Sequence, residues 1–123
     1  LDSFVEQRNK LAQNYEDLLA DDPIQRQVVP EAAYSARHLY VIRVPKDKHL
    51  SIFEKFRDEE IRVNLHYMPV HLQPYYRDKF GYKRGDFPQS EAYYDAALTI
   101  PLFPAMSDDD CQRVIDAVLA CVS

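Results

Sequence analysis

The sequence predicts an α+β domain in which a small mixed or antiparallel sheet carries helices packed on one face. Three observations lead to that fold class. The stretch "HLYVIRVP" (38–45) sets Tyr40, Ile42 and Val44 on one side against Leu39, Val41 and Arg43 on the other before Pro45, the pattern of a strand. The stretches "LDSFVEQRNKLAQNYEDLLA" and "SDDDCQRVIDAVLACV" repeat apolar residues every three or four positions, as amphipathic helices do. The element order then reads α, β, α, β, an irregular segment, α, β, α, with no internal repeat and no low-complexity linker.

Taken in order, Ser3-x-x-Glu6 reads as a capping box that opens a helix over 3–20, with Phe4, Leu11, Tyr15, Leu18 and Leu19 at helical spacing. Asp21-Asp22-Pro23 ends it. Val28-Val29 offers a short strand before Pro30, and 39–44 is the strand described above. Residues 47–60 form a helix whose apolar stripe is Leu50, Phe53 and Phe56. "IRVNLHY" (61–67) alternates again and is expected to be a second strand. Asp86 stands at an N-cap position with Pro88 in the first turn, which predicts a helix over about 88–96. "ALTIPLF" supplies another strand, and Ser107 caps a last helix that carries Cys111, Val114, Ile115, Val118, Leu119 and Val122 on one face.

Composition narrows the function. A chain of 123 residues suffices for one core, and 46% hydrophobic with 28% charged residues is ordinary for a soluble domain. The net charge is −5, and Lys and Arg are scattered among acids, so the basic stripe of a nucleic-acid binder is missing. No run approaches the ~20 apolar residues of a membrane span, and "LDSFVEQRNK" does not show a basic n-region followed by an apolar h-region. A cytoplasmic protein is expected. Cys111 and Cys121, about 15 Å apart along one helix, cannot pair with each other and suit a reduced compartment. Gly81 and Gly85 are the only glycines, which excludes the glycine-rich phosphate loops. A helix that begins almost at Leu1 reads as part of something longer.

The chemistry concentrates in Arg62 to Pro88, "RVNLHYMPVHLQPYYRDKFGYKRGDFP". His66 and His71 flank Pro69 at a spacing that is not the one-turn pair of zinc hydrolases, and no nearby acid or cysteine completes a ligand set. They read as hydrogen-bonding groups for a ligand or a neighbouring strand. Asp58-Glu59-Glu60 reads as solvated surface, and Asp108-Asp109-Asp110 as a first helical turn where the macrodipole favours negative charge. No serine or cysteine is placed as a nucleophile. By composition alone, Tyr67, Tyr75, Tyr76, Tyr82, Tyr93 and Tyr94 are better read as core packing than as a ligand surface.

The motifs "VNLHYMPVHLQPYYRDKFGY", "GDFPQSEAYY" and "LTIPLFPAMSDDDCQRVIDAVL" resemble the C-terminal domain of the DegT/DnrJ/StrS-type sugar-nucleotide aminotransferases, pyridoxal-phosphate (PLP) enzymes of the fold-type I aminotransferase fold. The likeness covers nearly the whole chain. It implies that residues 1–22 are the helix linking a large PLP-binding domain to a small C-terminal domain, residues 23–123, with the large domain absent from this chain. It also implies two half-reactions, in which an amino acid, glutamate in most of the family, gives its amino group to PLP and the amine passes to a keto group of a nucleotide-linked sugar. The "HYxPVHLQPYYR" wording is most similar to the branch that aminates UDP-sugars at C4 in pseudaminic acid synthesis.

By the same likeness the substrate-binding residues are His66, Tyr67, Met68 and Pro69, with His71, Gln73, Tyr75 and Tyr76 as neighbours. Arg77 meets phosphate or an acid of the same chain, and the residues leave that choice open. Phe87 and Phe103 are expected to pack the domain. None of Lys10, Lys46, Lys48, Lys55, Lys79 or Lys83 stands in the family's lysine motif, so the catalytic and cofactor-binding residues are implied to lie in the large domain, with no metal. The fragment alone should not transaminate. A homodimer is implied, as are an apolar patch on the first helix and around Tyr67, and self-association of the fragment. The other readings are a free-standing α+β interaction module that binds a partner through the tyrosine-rich run, and a metal-dependent enzyme built on His66 and His71.

Overall fold

The computed structural model describes residues 1–122, apart from the side chain of Val122. Helix α1 runs Asp2–Leu18, strand β1 is Gln25–Arg26 and strand β2 is Tyr40–Arg43. A 3-10 turn at Lys46–Lys48 leads into α2, His49–Asp58. A second 3-10 turn at Val70–Leu72 precedes α3, Pro74–Phe80, and α4, Pro88–Tyr94. Strand β3, Ala97–Ile100, and α5, Asp108–Val122, close the chain. The sheet has the order β1-β2-β3 and both pairings are antiparallel, which settles the sheet type that the sequence left as mixed or antiparallel.

The register sorts the two faces of the sheet. Tyr40 opposes Ile100 and Ile42 opposes Leu98, and all four are buried in the main core with Leu11 and Tyr15 of α1 and Leu19 just beyond it, Ile52 and Phe56 of α2, and Val114, Ile115 and Val118 of α5. Val41 opposes Thr99 and Arg43 opposes Ala97 on the other face, where no helix of this core lies. Each fully buried Leu, Ile or Phe contributes about 1.5–3 kcal/mol of transfer free energy, so this one-sided burial dominates the domain's stability. Tyr15 and Tyr40 sit in it with ring centroids 5.0 Å apart, and the Tyr15 hydroxyl donates to the Pro101 carbonyl at 2.7 Å. Burial pushes both phenols well above their ordinary pKa.

Local chemistry explains the element ends. Ser107 and Asp110 form a reciprocal box at the start of α5: the Asp110 amide donates to Ser107 Oγ at 3.1 Å and the Ser107 amide to Asp110 Oδ2 at 3.0 Å. The end of α2 is a Schellman turn, with Ile61 N–H on the Phe56 carbonyl (2.8 Å), Glu60 N–H on that of Arg57 (3.0 Å), and Glu60 left-handed at φ 58°.

Several expected elements differ. Residues 61–67 form no strand: only Asn64 bridges Thr99, by hydrogen bonds of 3.0 and 2.9 Å. The Schellman turn consumes the Ile61 amide, and beyond Asn64 the chain leaves the sheet toward Pro69, which has no amide to extend a ladder. The first short strand is Gln25–Arg26 rather than Val28-Val29, and Val28 is 85% exposed. Ser3 does not cap α1, since the helix already includes it and Leu1 occupies the N-cap. Leu50 is 67% exposed and Ile52 takes its place in the stripe of α2. Asp86 does not cap α4 either: Phe87 is the N-cap, while Asp86 Oδ2 accepts from the Lys83 amide at 2.9 Å. The segment expected to be irregular contains α3, which Pro74 opens and Gly81 closes at φ 72° with its amide on the Arg77 carbonyl. That proline-start, glycine-stop pair was the signal available in the sequence.

Both cysteines are free thiols, Cys111 buried and Cys121 half-buried. Among the described residues no helix is long and apolar enough to cross a membrane.

Candidate functional site

Beyond Asn64 the chain rises over the open face of the sheet. His66 Nδ1 lies 2.8 Å from Thr99 Oγ1, so β3 holds the imidazole in place, and Nε2 has no hydrogen bond among the described residues. This is the hydrogen bond to a neighbouring strand that the sequence suggested for one of the histidines. The His66–Tyr67 peptide is cis, and the Tyr67 ring meets the imidazole edge-on at 4.6 Å while remaining 71% exposed. Beside His66 the open face forms a hollow of about 560 Å³, to which Arg43, His38, Ser35, Gln27 and Tyr93 also contribute.

The next turn, Val70–Leu72, buries His71 and brings its Nε2 to 2.8 Å from Glu91 Oε1. Gly85 N–H reaches both Glu91 oxygens, at 2.8 and 2.9 Å, and Phe87 N–H reaches Oε1 at 3.4 Å. Burial alone would raise the Glu91 pKa, but the His71 bond and the two amides outweigh it and hold the carboxyl below its usual range. Nearby, Arg84 and Lys46 both pair with Asp95, and those hydrogen bonds hold its carboxyl low. Around His71 lies a second hollow, about 470 Å³, walled by Val70, Tyr76, Phe80, Tyr82 and Phe87. Its rings form a connected series, from Tyr76 to Phe80 (centroids 6.0 Å), to Tyr82 (6.1 Å), to Phe87 (5.6 Å), to His71 (4.7 Å).

The eight residues predicted as substrate-binding therefore do not converge on one cavity. His66 lines the sheet-face hollow, whereas His71 and Tyr76 line the aromatic one. Tyr67, Met68, Gln73 and Tyr75 are exposed between them. Pro69 is buried. Gln73 starts α3, its carbonyl accepting from Tyr76 and Arg77 N–H. The core-packing reading of the tyrosines is corrected: the buried tyrosines are Tyr15 and Tyr40, while Tyr67, Tyr75, Tyr76, Tyr82 and Tyr93 are exposed and Tyr94 is intermediate. Phe87 and Phe103, expected to pack the domain, are each about half exposed, and Phe87 walls the aromatic hollow.

Sequence reasoning missed Arg43, His38 and Glu91. From the sequence Arg43 reads only as the outward residue of a strand, and Glu91 lies twenty residues from His71, beyond the reach of a local motif. No group of three or more His, Cys, Asp or Glu among the described residues could hold a metal ion. None of the six lysines named above lines either hollow; Lys46 is taken by Asp95, Lys55 by the Ala120 carbonyl and Lys79 by the Tyr75 hydroxyl. These residues do not fit a seat for a lysine-bound cofactor, and no chemical step runs through one here.

Comparison with known proteins places this architecture. The chain is 37% identical, over 96% of its length, to the spore coat polysaccharide biosynthesis protein SpsC of Bacillus subtilis, and the match spans 32% of that protein. It superposes on DesV of S. venezuelae with a TM-score of 0.90 at 28% identity, covering 99% of this chain and 33% of that one. The fold also matches Helicobacter pylori PseC, described as an aminotransferase involved in pseudoaminic acid biosynthesis, with a TM-score of 0.89 at 20% identity over 97% of this chain and 33% of that one. The chain thus spans about a third of each of these relatives. Residues 1–119 match the model of the DegT/DnrJ/EryC1/StrS aminotransferase family, and the chain belongs to that family.

Proposed function

We propose that this chain is the small C-terminal domain, residues 23–123, with the linking helix, residues 1–22, of a cytoplasmic PLP-dependent aminotransferase that works as a homodimer. The complete enzyme moves an amino group from an amino acid, glutamate, to a keto group of a nucleotide-linked sugar, and the donor leaves as its 2-oxo acid. PLP, bound by a preceding domain, supplies the electron sink for that exchange. This chain positions the sugar and excludes water from the reacting carbons. Tyr67, Tyr75 and Tyr76 offer ring faces to a sugar, and their hydroxyls, His66 Nε2 and the Gln73 amide offer hydrogen bonds to its hydroxyls.

The observation that carries this reading is the exposed aromatic run from Tyr67 to Phe87 on a domain of an aminotransferase family. A folded monomer rarely leaves so many contiguous rings uncovered unless they meet a ligand or another surface. The likeness to PseC carries the fold and leaves the sugar open. The test is the full-length polypeptide that contains this chain, incubated with PLP, 15N-glutamate and nucleotide-linked keto sugars. Labelled amino sugar is the expected product; no label transfer to any such sugar would overturn the assignment.

A further inference from the structure

We propose that the hollow on the open face of the sheet is an oxyanion site that takes the diphosphate of a nucleotide-linked substrate, with Arg43 as its principal ligand and His38 and His66 beside it. The identity of the anion rests on the function proposed above; the chemistry of the hollow does not.

Arg43 is the last residue of β2, and the alternation that buries Ile42 turns it to the open face. Its cross-strand neighbours, Ala97 on β3 and Gln25 on β1, are uncharged. Its guanidinium has no ion pair or hydrogen bond among the described residues, and no acid lines the hollow, although the chain as a whole carries a charge of −5. The side chain of His38 likewise has no partner among the described residues. Arg26, also at the rim, is not available, because Glu16 holds its Nε at 3.3 Å and the Leu19 carbonyl takes its Nη1. Gln27, Ser35 and Tyr93 bring neutral hydrogen-bonding groups to the same space. An unpaired cation with imidazoles beside it, in a recess free of carboxylates, attracts an anion.

The size of the recess and the spread of its donors favour a diphosphate over a carboxylate. One guanidinium fork matches both oxygens of a carboxylate. Here the hollow measures about 560 Å³ and draws its donors from the segment around β1, the loop before β2, the end of β2, His66 and α4. A diphosphate presents oxygens in several directions and can use such a set. His66 also heads the Tyr67 to Pro69 run, so a sugar attached to a diphosphate in the hollow would lie against that run.

The experiment uses the full-length polypeptide and reads binding of inorganic pyrophosphate and of UDP by calorimetry, with glutamate affinity and PLP content measured in parallel. Arg43→Gln is expected to weaken both pyrophosphate and UDP about tenfold or more, the loss of a charge-assisted contact. Arg43→Lys, which keeps the charge but not the fork, should fall between. Arg57→Gln, an exposed arginine on α2, should bind as wild type does. His38→Ala removes an exposed side chain and carries the test should Arg43→Gln fail to fold; severalfold weaker pyrophosphate binding is expected. Unchanged pyrophosphate binding in both folded variants overturns the site. So does a loss confined to glutamate affinity or PLP content, which would give the hollow to the donor carboxylate or the cofactor phosphate. Arg43-dependent pyrophosphate binding without amino transfer would keep the site and remove the proposed function; amino transfer with Arg43-independent binding would do the reverse.

Discussion

His71 and Glu91, twenty residues apart in the chain, meet through an Nε2–Oε1 contact of 2.8 Å with both side chains only 7% exposed. Because Gly85 and Phe87 donate to the same carboxylate, one side chain ties together the 3-10 turn, the loop of residues 81–87 and α4. Buried donors left without an acceptor are costly. Glu91→Ala is therefore expected to lower the thermal midpoint by several degrees and to expose the loop to trypsin at Lys83 and Arg84. Glu91→Gln should recover only part, since its amide group turns a donor toward donors. Circular dichroism melts and timed digestion check this; identical melting and cleavage in wild type and Glu91→Ala would remove the role.

Acid should act through the same carboxyls. Burial opposes the shift at Glu91, yet its bonds with His71, Gly85 and Phe87 set its pKa below the usual range; Asp95 is held low by Arg84 and Lys46, Asp86 by the Lys83 amide and Asp110 by Ser107. A carboxyl with a lowered folded pKa contributes stability that is complete above its unfolded value, about 4, and is lost as pH falls through the folded value. The urea midpoint should thus be flat with respect to these groups above about pH 5 and drop on acidification below about pH 4. Asp95→Asn should make the drop shallower. A midpoint independent of pH down to 2.5 would contradict the linkage.

The core predicts two graded losses. Phe56 is fully buried, and Phe56→Ala is expected to cost about 3–5 kcal/mol in denaturant unfolding. Tyr15→Phe keeps the ring and deletes the hydroxyl bond to Pro101, for about 0.5–1.5 kcal/mol. A loss for Tyr15→Phe as large as that for Tyr15→Ala would mean that the hydroxyl, rather than the ring, anchors α1.

For the proposed sugar contact, Tyr67→Ala in the full-length protein should raise KM for the nucleotide-linked sugar roughly two- to tenfold, the value of one aromatic contact, and leave the melting temperature unchanged because the ring is exposed. Steady-state kinetics beside a melting curve check it. A lower melting temperature with an unchanged KM would place Tyr67 in an internal packing role instead.

The three elements with the clearest periodic patterns were legible in the sequence because their burial is local and repeating. The stripe Cys111, Val114, Ile115, Val118 of α5, the alternation of Tyr40, Ile42 and Val44, and Leu11 and Tyr15 of α1 with Leu19 just beyond it all face the core as their spacing requires. The Ser107 cap was legible for the same reason, since a cap is made within three residues, although its reciprocal partner Asp110 was expected only as a first-turn acid. The family, too, could be named from motifs of adjacent residues. The tertiary structure decided what depends on a distant partner. "IRVNLHY" has the alternation of a strand, but a strand also needs a free edge in register, and only Asn64 found one, at Thr99. Tyrosines look alike in a sequence, and it is the packing of α1, α2 and α5 against the Tyr40–Ile42 face of the sheet that buries Tyr15 and Tyr40 and leaves Tyr67, Tyr76 and Tyr82 outside. Periodicity reports which way a residue faces along its own element; what it meets there is settled by chain segments far away, as His71 meets Glu91 and Arg43 meets no acid among the described residues.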